Sequence, residues 1–312
     1  MPNVNLPTLR QLRHLVALAD HRHFGRAAQA TFVTQSAFSA SIKELETILG
    51  APLVDRTHRN VVLTPLGHDV VERGRRLLAD AEDLAQLAHA AREPLSGALR
   101  LGIIPTVSPF LVPRVLPALR RAHPKLKLYL TEDLTARLVE GLHAGRLDVL
   151  LVALPCDCGD AASLTLMRDV FSVALRGDDP LARAKTIRAE QLDPERLLLL
   201  QDGHCMREQA LAACSLSSPD VAQAYRGTSL QTLVQMVDNG LGITLVPQIA
   251  LDAGLLRGTK TVARTLTGAE AWRELGLVWR RGTARAPEFE LLGETLRGLM
   301  AREHERAAAR AS

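Results

Sequence analysis

The chain has 312 residues, room for two or three domains, and its 47 % hydrophobic and 23 % charged content is that of a globular protein rather than a disordered tail. The longest uninterrupted apolar run, 149–154, falls far short of the ~18 residues that suggest a membrane span. The opening MPNVNLPTLRQ lacks the apolar core and small-residue cleavage site of a signal peptide, so a cytoplasmic protein without a membrane partner is expected. The formal charge of +4 is uneven: residues 1–66 hold seven Lys or Arg against four Asp or Glu, which permits a nucleic-acid partner. Four cysteines are too few for a disulfide scaffold.

Over 8–21, Leu9, Leu12, Leu15, Val16, Leu18 and Ala19 recur at helical spacing and predict one apolar stripe. His23-Phe24-Gly25 breaks the pattern, and 26–30 reads as a short helix in which Ala27 and Ala28 let a neighbour approach closely. Thr34 is placed to cap a further helix over about 35–49, with Ala37, Phe38, Ile42, Leu45 and Ile48 inward. Gln35, Ser36, Ser39 and Lys43 are left outside. A short helix, a turn and a second helix with a polar outer face form the helix-turn-helix plan, whose second helix enters the major groove. Any small three-helix domain with a solvated face has the same spacing.

The segment HFGRAAQATFVTQSAFSASIKELETILGAPLVDR resembles the winged helix-turn-helix of LysR-type transcriptional regulators. It carries the family's paired alanine (Ala27-Ala28), Val33-Thr34-Gln35, Ser39, Ile42, Leu45-Glu46 and Leu53-Val54-Asp55-Arg56. It departs at Ser36, where Pro is usual, and at Val54, where Phe is usual. The resemblance implies an all-α winged helix-turn-helix over 1–64 that binds double-stranded promoter DNA. Gln35 and Ser39 are the candidate base contacts, Lys43 and Arg56 the candidate phosphate contacts, and Thr34 and Ser36 complete the set.

Thr64-Pro65 is a helix start, and no proline interrupts the chain before Pro94, so a helix of about 28 residues and about 42 Å is expected over 65–93. Val70, Leu77, Leu84 and Ala91 lie seven apart, with Gly74, Ala81 and Ala88 filling the seam. That spacing suits a dimerisation helix, and equally a long helix lying on its own domain. Glu93 to Gly97 reads as a hinge into a regulatory domain over 94–312.

Beyond it, strands at 98–104, 127–131 and 149–153 alternate with helices near 110–122 and 135–144. A second set follows: strands at 170–175, 197–200 and 243–246, a helix from about Cys205, and another over 229–238. A strand at 275–279 and a final helix from Pro287 return to the first lobe. This is α/β alternation with mostly parallel strands, where small ligands settle at strand carboxyl ends. It resembles the periplasmic-binding-protein-like regulatory domain of the same family, with lobe I over about 98–169 and 274–312 and lobe II over about 170–273.

The segment DGHCMREQALAAC places Cys205 at the start of a stretch of helix formers, beside His204 and Arg207. A helix dipole and basic neighbours both favour the reactive thiolate, although an inert buried thiol is the commoner case. Nine residues of helix separate Cα atoms by about 13–14 Å and put the side chains on nearly opposite faces, whereas a disulfide needs less than about 7 Å. Cys205 and Cys214 therefore cannot bridge while that helix persists. Cys156 and Cys158 read as spectators in an exposed loop, or as two donors to a soft metal completed from elsewhere.

The same segment, with HFGRAA and IPTVSPFLVP, is similar to the peroxide-sensing branch of the LysR family. The resemblance implies that Cys205 attacks hydrogen peroxide and that Cys214 resolves the product to a disulfide, which cellular thiols reduce. Thr106 and Thr135 align with hydroxyl residues that hold peroxide, and Pro105, His204 and Arg207 would shape or polarise the same pocket. It further implies self-association as a dimer or dimer of dimers on the nucleoid. RNA polymerase and a reductant such as glutaredoxin or thioredoxin are the implied partners, with no cofactor and no metal. Two other readings compete: a LysR-type regulator answering a small organic effector between the lobes, and a thiol peroxidase, which has no use for a DNA-binding unit.

Overall fold

The protein is described by a computed structural model that covers residues 5–56, 61–90, 93–214, 226–268 and 271–311. The chain divides into two compact units, the first holding residues up to Ala88 and the second most of the remainder.

The first unit is built on three helices, α1 (Leu9–His21), α2 (Phe24–Ala30) and α3 (Gln35–Leu49), followed by strands β1 (Val54–Arg56) and β2 (Val61–Leu63) and the long helix α4 (Pro65–Ala90). Thr8 starts α1 through a capping box: its hydroxyl accepts from the Gln11 amide at 3.2 Å, and the Gln11 side chain accepts from the Thr8 amide at 2.8 Å. Leu9, expected on the apolar stripe, is exposed, because the buried face is set by Leu12, Leu15 and Leu18. α2 begins at Phe24, two residues earlier than expected, since the His23 ring accepts from the Arg26 amide at 3.3 Å and caps it. In α3 the inward face is Phe38, Ile42 and Leu45; Ala37, expected inside, is exposed one position off that face. Phe38 packs edge-on against Phe24, with ring centroids 6.0 Å apart.

β1 and β2 pair antiparallel and form the wing. At the start of α4, the Thr64 hydroxyl accepts from the Gly67 amide at 2.9 Å. A Cβ at Gly67 would meet the Leu53 carbonyl oxygen at 2.1 Å, so only glycine lets the wing and this helix approach so closely.

The second unit continues with β3 (Gly97–Ile103), α5 (Ser108–Ala122), β4 (Leu126–Glu132), α6 (Thr135–His143), β5 (Val149–Leu154) and β6 (Ala161–Arg176). Then come β7 (Thr186–Arg188), β8 (Leu199–Leu200), α7 (Cys205–Ala213), β9 (Arg226–Gly227), α8 (Leu230–Asp238), β10 (Thr244–Pro247) and α9 (Gln248–Asp252). β11 (Thr261–Thr267), β12 (Trp272–Arg280) and α10 (Ala286–Ala311) complete it.

One sheet runs in the order β4-β3-β5-β12-β6-β11-β7, with β10 also on β6. The strands are not mostly parallel as expected. β3 runs parallel to β4 and β5, but β12 inserts between β5 and β6 and runs against both. β6 in turn runs against β10 and β11. β6 is also far longer than the predicted 170–175, because its first part pairs with β12 and its last part with β10 and β11. β5, an unbroken VLLVAL, is buried on both faces at the centre of the first lobe, as a helix-flanked central strand requires. Its carboxyl end and that of β3 lie side by side, with the Ile104 amide donating to the Leu151 carbonyl at 3.3 Å.

Candidate functional site: a cysteine cleft and a recognition helix

α3 is the candidate DNA-reading element. Thr34 accepts from the Ala37 amide at 3.3 Å, so its hydroxyl serves the helix start. Gln35, Ser36 and Lys43 are exposed, while Ser39 is half-buried. Arg56 closes β1, and its side chain lies outside the described residues. Glu46, part of the Leu45-Glu46 motif, has a role the sequence did not disclose. Its carboxylate accepts from the Leu53 and Val54 amides at 2.9 and 3.1 Å, tying the recognition helix to the wing.

In the second unit, the stretch after β3 and the start of α6 face the start of α7 across a narrow cleft. Pro105, Thr106 and Thr135 line one side, and Gly203, His204 and Cys205 the other. Gly203 takes the left-handed φ of +93° that turns the chain into α7. Cys205 is the first residue of that helix and is half-buried with a free thiol.

Thr106 is buried, and it is held by a charged network. Arg273 donates to the Thr106 hydroxyl at 2.9 Å and to its carbonyl at 3.3 Å. Arg273 also donates to Asp169 at 3.0 Å, and the other Asp169 oxygen accepts from the Ile249 amide at 3.0 Å. Both charged side chains are wholly buried. Burial pushes the Asp169 carboxyl above the usual range, and the Arg273 guanidinium pulls it back. Because the Thr106 oxygen accepts from Arg273, its hydroxyl proton is directed to another acceptor. The Thr135 hydroxyl is buried with no hydrogen-bond partner among the described residues, as is the Gln209 side-chain oxygen one turn after Cys205 on α7. Buried polar atoms in folded proteins nearly always find partners, so the unpaired Thr135 hydroxyl on the cleft wall suits a small hydrogen-bonding guest; Gln209 does not line the cleft.

One expectation for this site needs correcting. Arg207 does not line the cleft: two residues past Cys205 it points away, bonded to Asp202 at 3.0 Å and to the Leu200 carbonyl at 3.4 Å. His204 does line it, but burial lowers its pKa below the ordinary 6.5, so at neutral pH it is an uncharged ring rather than a cation. Cys214 caps the far end of α7, buried in the core, with its thiol pushed up from 9.0 to about 11 by burial. Nine residues of helix hold the two sulfurs' backbones about 13–14 Å apart.

Residues 92–301 match the LysR substrate binding domain, and residues 9–68 match the bacterial regulatory helix-turn-helix protein, lysR family. The chain belongs to the LysR family. Within it, the chain is 40 % identical to the HTH-type transcriptional regulator EstR of Acinetobacter baylyi, over 96 % of this chain and 99 % of that one. It is 38 % identical to the DNA-binding transcriptional dual regulator OxyR of Escherichia coli, over 94 % of this chain and 95 % of that one. Among solved structures it is similar to a full-length OxyR variant from Pseudomonas aeruginosa, with a TM-score of 0.78 at 33 % identity over 94 % of this chain and 98 % of the other. It is also similar to a Corynebacterium glutamicum OxyR mutant with hydrogen peroxide bound, with a TM-score of 0.69 at 32 % identity over 99 % and 97 %. The LysR winged helix-turn-helix and two-lobed α/β regulatory domain expected from the sequence are both present.

For this LysR member, sequence reasoning missed Arg273 and Asp169. Arg273 and Asp169 lie 104 residues apart on paired strands, so only a knowledge of the β6–β12 register would have joined them.

Proposed function

We propose that this chain is a DNA-binding transcriptional regulator that senses hydrogen peroxide through Cys205. The observation that carries the reading is the cleft itself. It sets the free Cys205 thiol opposite the Thr106 and Thr135 hydroxyls, the groups a thiol reaction with a small peroxide needs.

The Cys205 thiolate attacks one peroxide oxygen; the S–O bond forms as the O–O bond breaks, and the departing hydroxide takes a proton to leave as water. The Thr106 and Thr135 hydroxyls are placed to donate to the developing negative charge, with Arg273 fixing the first. His204 and Pro105 complete the wall and limit what enters. The Cys214 thiolate then attacks the sulfenic sulfur, forming the S–S bond and releasing a second water. Two thiols and one peroxide give one disulfide and two waters. Since the helix holds the pair far beyond disulfide reach, α7 unwinds for the bond to close, which turns a small oxidation into a change of shape. A dithiol reductant of the glutaredoxin or thioredoxin class restores the thiols.

On the DNA side, Gln35 and Ser39 read base edges, Lys43 and Arg56 hold phosphates, and Thr34 and Ser36 set the start of the reading helix. α4 pairs two copies, and two pairs bind one promoter and engage RNA polymerase there, in the cytoplasm.

A second reading is a LysR-type regulator answering a small organic effector between the lobes; the 40 % identity to EstR, a transcriptional regulator whose name does not mention peroxide, keeps it as the alternative. Promoter footprinting separates the two. Peroxide should alter the footprint of the native chain and leave that of Cys205→Ser unchanged. A Cys205→Ser chain that still responds to peroxide would remove Cys205 as the sensor.

A further inference from the structure

The turn between β5 and β6 carries Cys156 and Cys158, which are joined by a disulfide, while Cys205 and Cys214 are free. These two are not exposed spectators. Cys158 is buried in the main core and Cys156 is half-buried against it. Their Cα atoms lie 5.3 Å apart, inside the range a disulfide requires, without any helix or strand opening. That is the reverse of the Cys205–Cys214 case. A soft-metal site finds no support, because no group of three or more His, Cys, Asp or Glu placed to hold an ion occurs among the described residues.

The position adds to the chemistry. The turn leaves the carboxyl end of β5, beside the end of β3 that leads into Ile104, Pro105 and Thr106. On its other side Leu154 pairs with Glu274 of β12, and the next residue outward on β12 is Arg273, which holds Thr106.

We propose that Cys156 and Cys158 form a second thiol–disulfide site, one that exchanges with low-molecular-weight thiols and their disulfides and acts independently of Cys205. Reduction enters at Cys156, the less buried sulfur. A small thiolate attacks it, the Cys156–Cys158 bond breaks, and the electron pair leaves on the Cys158 sulfur, which takes up a proton. A second small thiolate attacks the outer sulfur of the mixed disulfide, releasing the small disulfide and the Cys156 thiolate, which is then protonated. One protein disulfide and two small thiols give one protein dithiol and one small disulfide, and the reverse reaction oxidises the pair. The site thus follows the thiol pool, whereas the Cys205 cleft is shaped for a peroxide.

The test uses the full-length chain with Cys205→Ser and Cys214→Ser, equilibrated anaerobically with glutathione and glutathione disulfide in varied ratio. Acid quenching, alkylation and mass analysis of the tryptic peptide 147–168, which holds both cysteines, give the outcome. The peptide is expected to pass from two labels to an internal disulfide in one step. Doubling both glutathione species at fixed ratio should double the ratio of dithiol to disulfide, because two small thiols are consumed per bond. Adding Cys158→Ser should stop the reaction at a mixed disulfide on Cys156. Two free thiols at every ratio, a disulfide that glutathione never opens, or a mixed disulfide as the end state of the intact pair would each overturn the proposal. Should the double-serine chain fail to fold, the same titration on the unsubstituted chain, read on the same peptide, decides it. Neither result depends on whether Cys205 senses peroxide.

Discussion

Cys205 and Cys214 differ in what surrounds them, and the difference sets their order of reaction. Burial holds the Cys214 thiol at about 11, so near pH 8 its thiolate fraction is about 100-fold smaller than that of an unperturbed thiol at 9.0. Cys214 is also buried where Cys205 is only half-buried, so iodoacetamide at pH 8 should reach Cys214 last, and equal labelling of the folded chain would contradict the buried setting. The same shift has a signature in stability. Between pH 9 and about 11 the unfolded chain releases a proton that the folded chain keeps, so stability should fall as pH rises through that window. His204 acts at the other end. Its folded pKa lies below 6.5, so as pH drops below that value the unfolded chain binds the proton first and stability should decline. Denaturant midpoints of the native chain, Cys214→Ala and His204→Asn across pH separate the two contributions. Asp169 and Arg273 make a different prediction: removing one partner of a wholly buried pair strands the other charge. Asp169→Ala should cost about 3–5 kcal/mol in denaturant unfolding. In whatever fraction stays folded, it should also slow the reaction of Cys205 by freeing Thr106.

Among elements, α3 and α7 were the most legible in the sequence. Thr34 as cap, Phe38, Ile42 and Leu45 as core, and a helix beginning at Cys205 all follow from spacing and capping chemistry, and all are found. β6 and β12 were legible only in part. Their pairing makes Arg273 a neighbour of the cleft, and periodicity along one strand carries no information about which distant strand lies beside it. The burial of Cys158 was invisible for the same reason, since a turn residue is buried by what packs over it. Glu46 was legible as a motif but not as a bond. Glu46→Ala leaves the Leu53 and Val54 amides without their carboxylate and should lower the stability of the first unit by about 1.5–3 kcal/mol. A calorimetric melt of that unit checks it. On α4, Leu77 and Leu84 are exposed seven residues apart. If they form the subunit seam, Leu77→Asp with Leu84→Asp should yield monomers by sedimentation and weaken promoter binding at least tenfold; an unchanged dimer would place the seam elsewhere.

For the whole molecule, a sensor and a DNA reader on one chain need a state change large enough to pass between them. A bond that cannot form without unwinding α7 supplies such a change. The central claim is thus that peroxide joins Cys205 to Cys214. Trypsin places the two in separate peptides, 197–207 and 208–226, so the bond is read directly as a cross-linked mass. The reduced chain should be treated with one equivalent of hydrogen peroxide, quenched within seconds and digested without reductant. The account predicts the 197–207/208–226 cross-link as the main product, lost in Cys205→Ser. A chain whose two peptides stay unlinked under these conditions would contradict it.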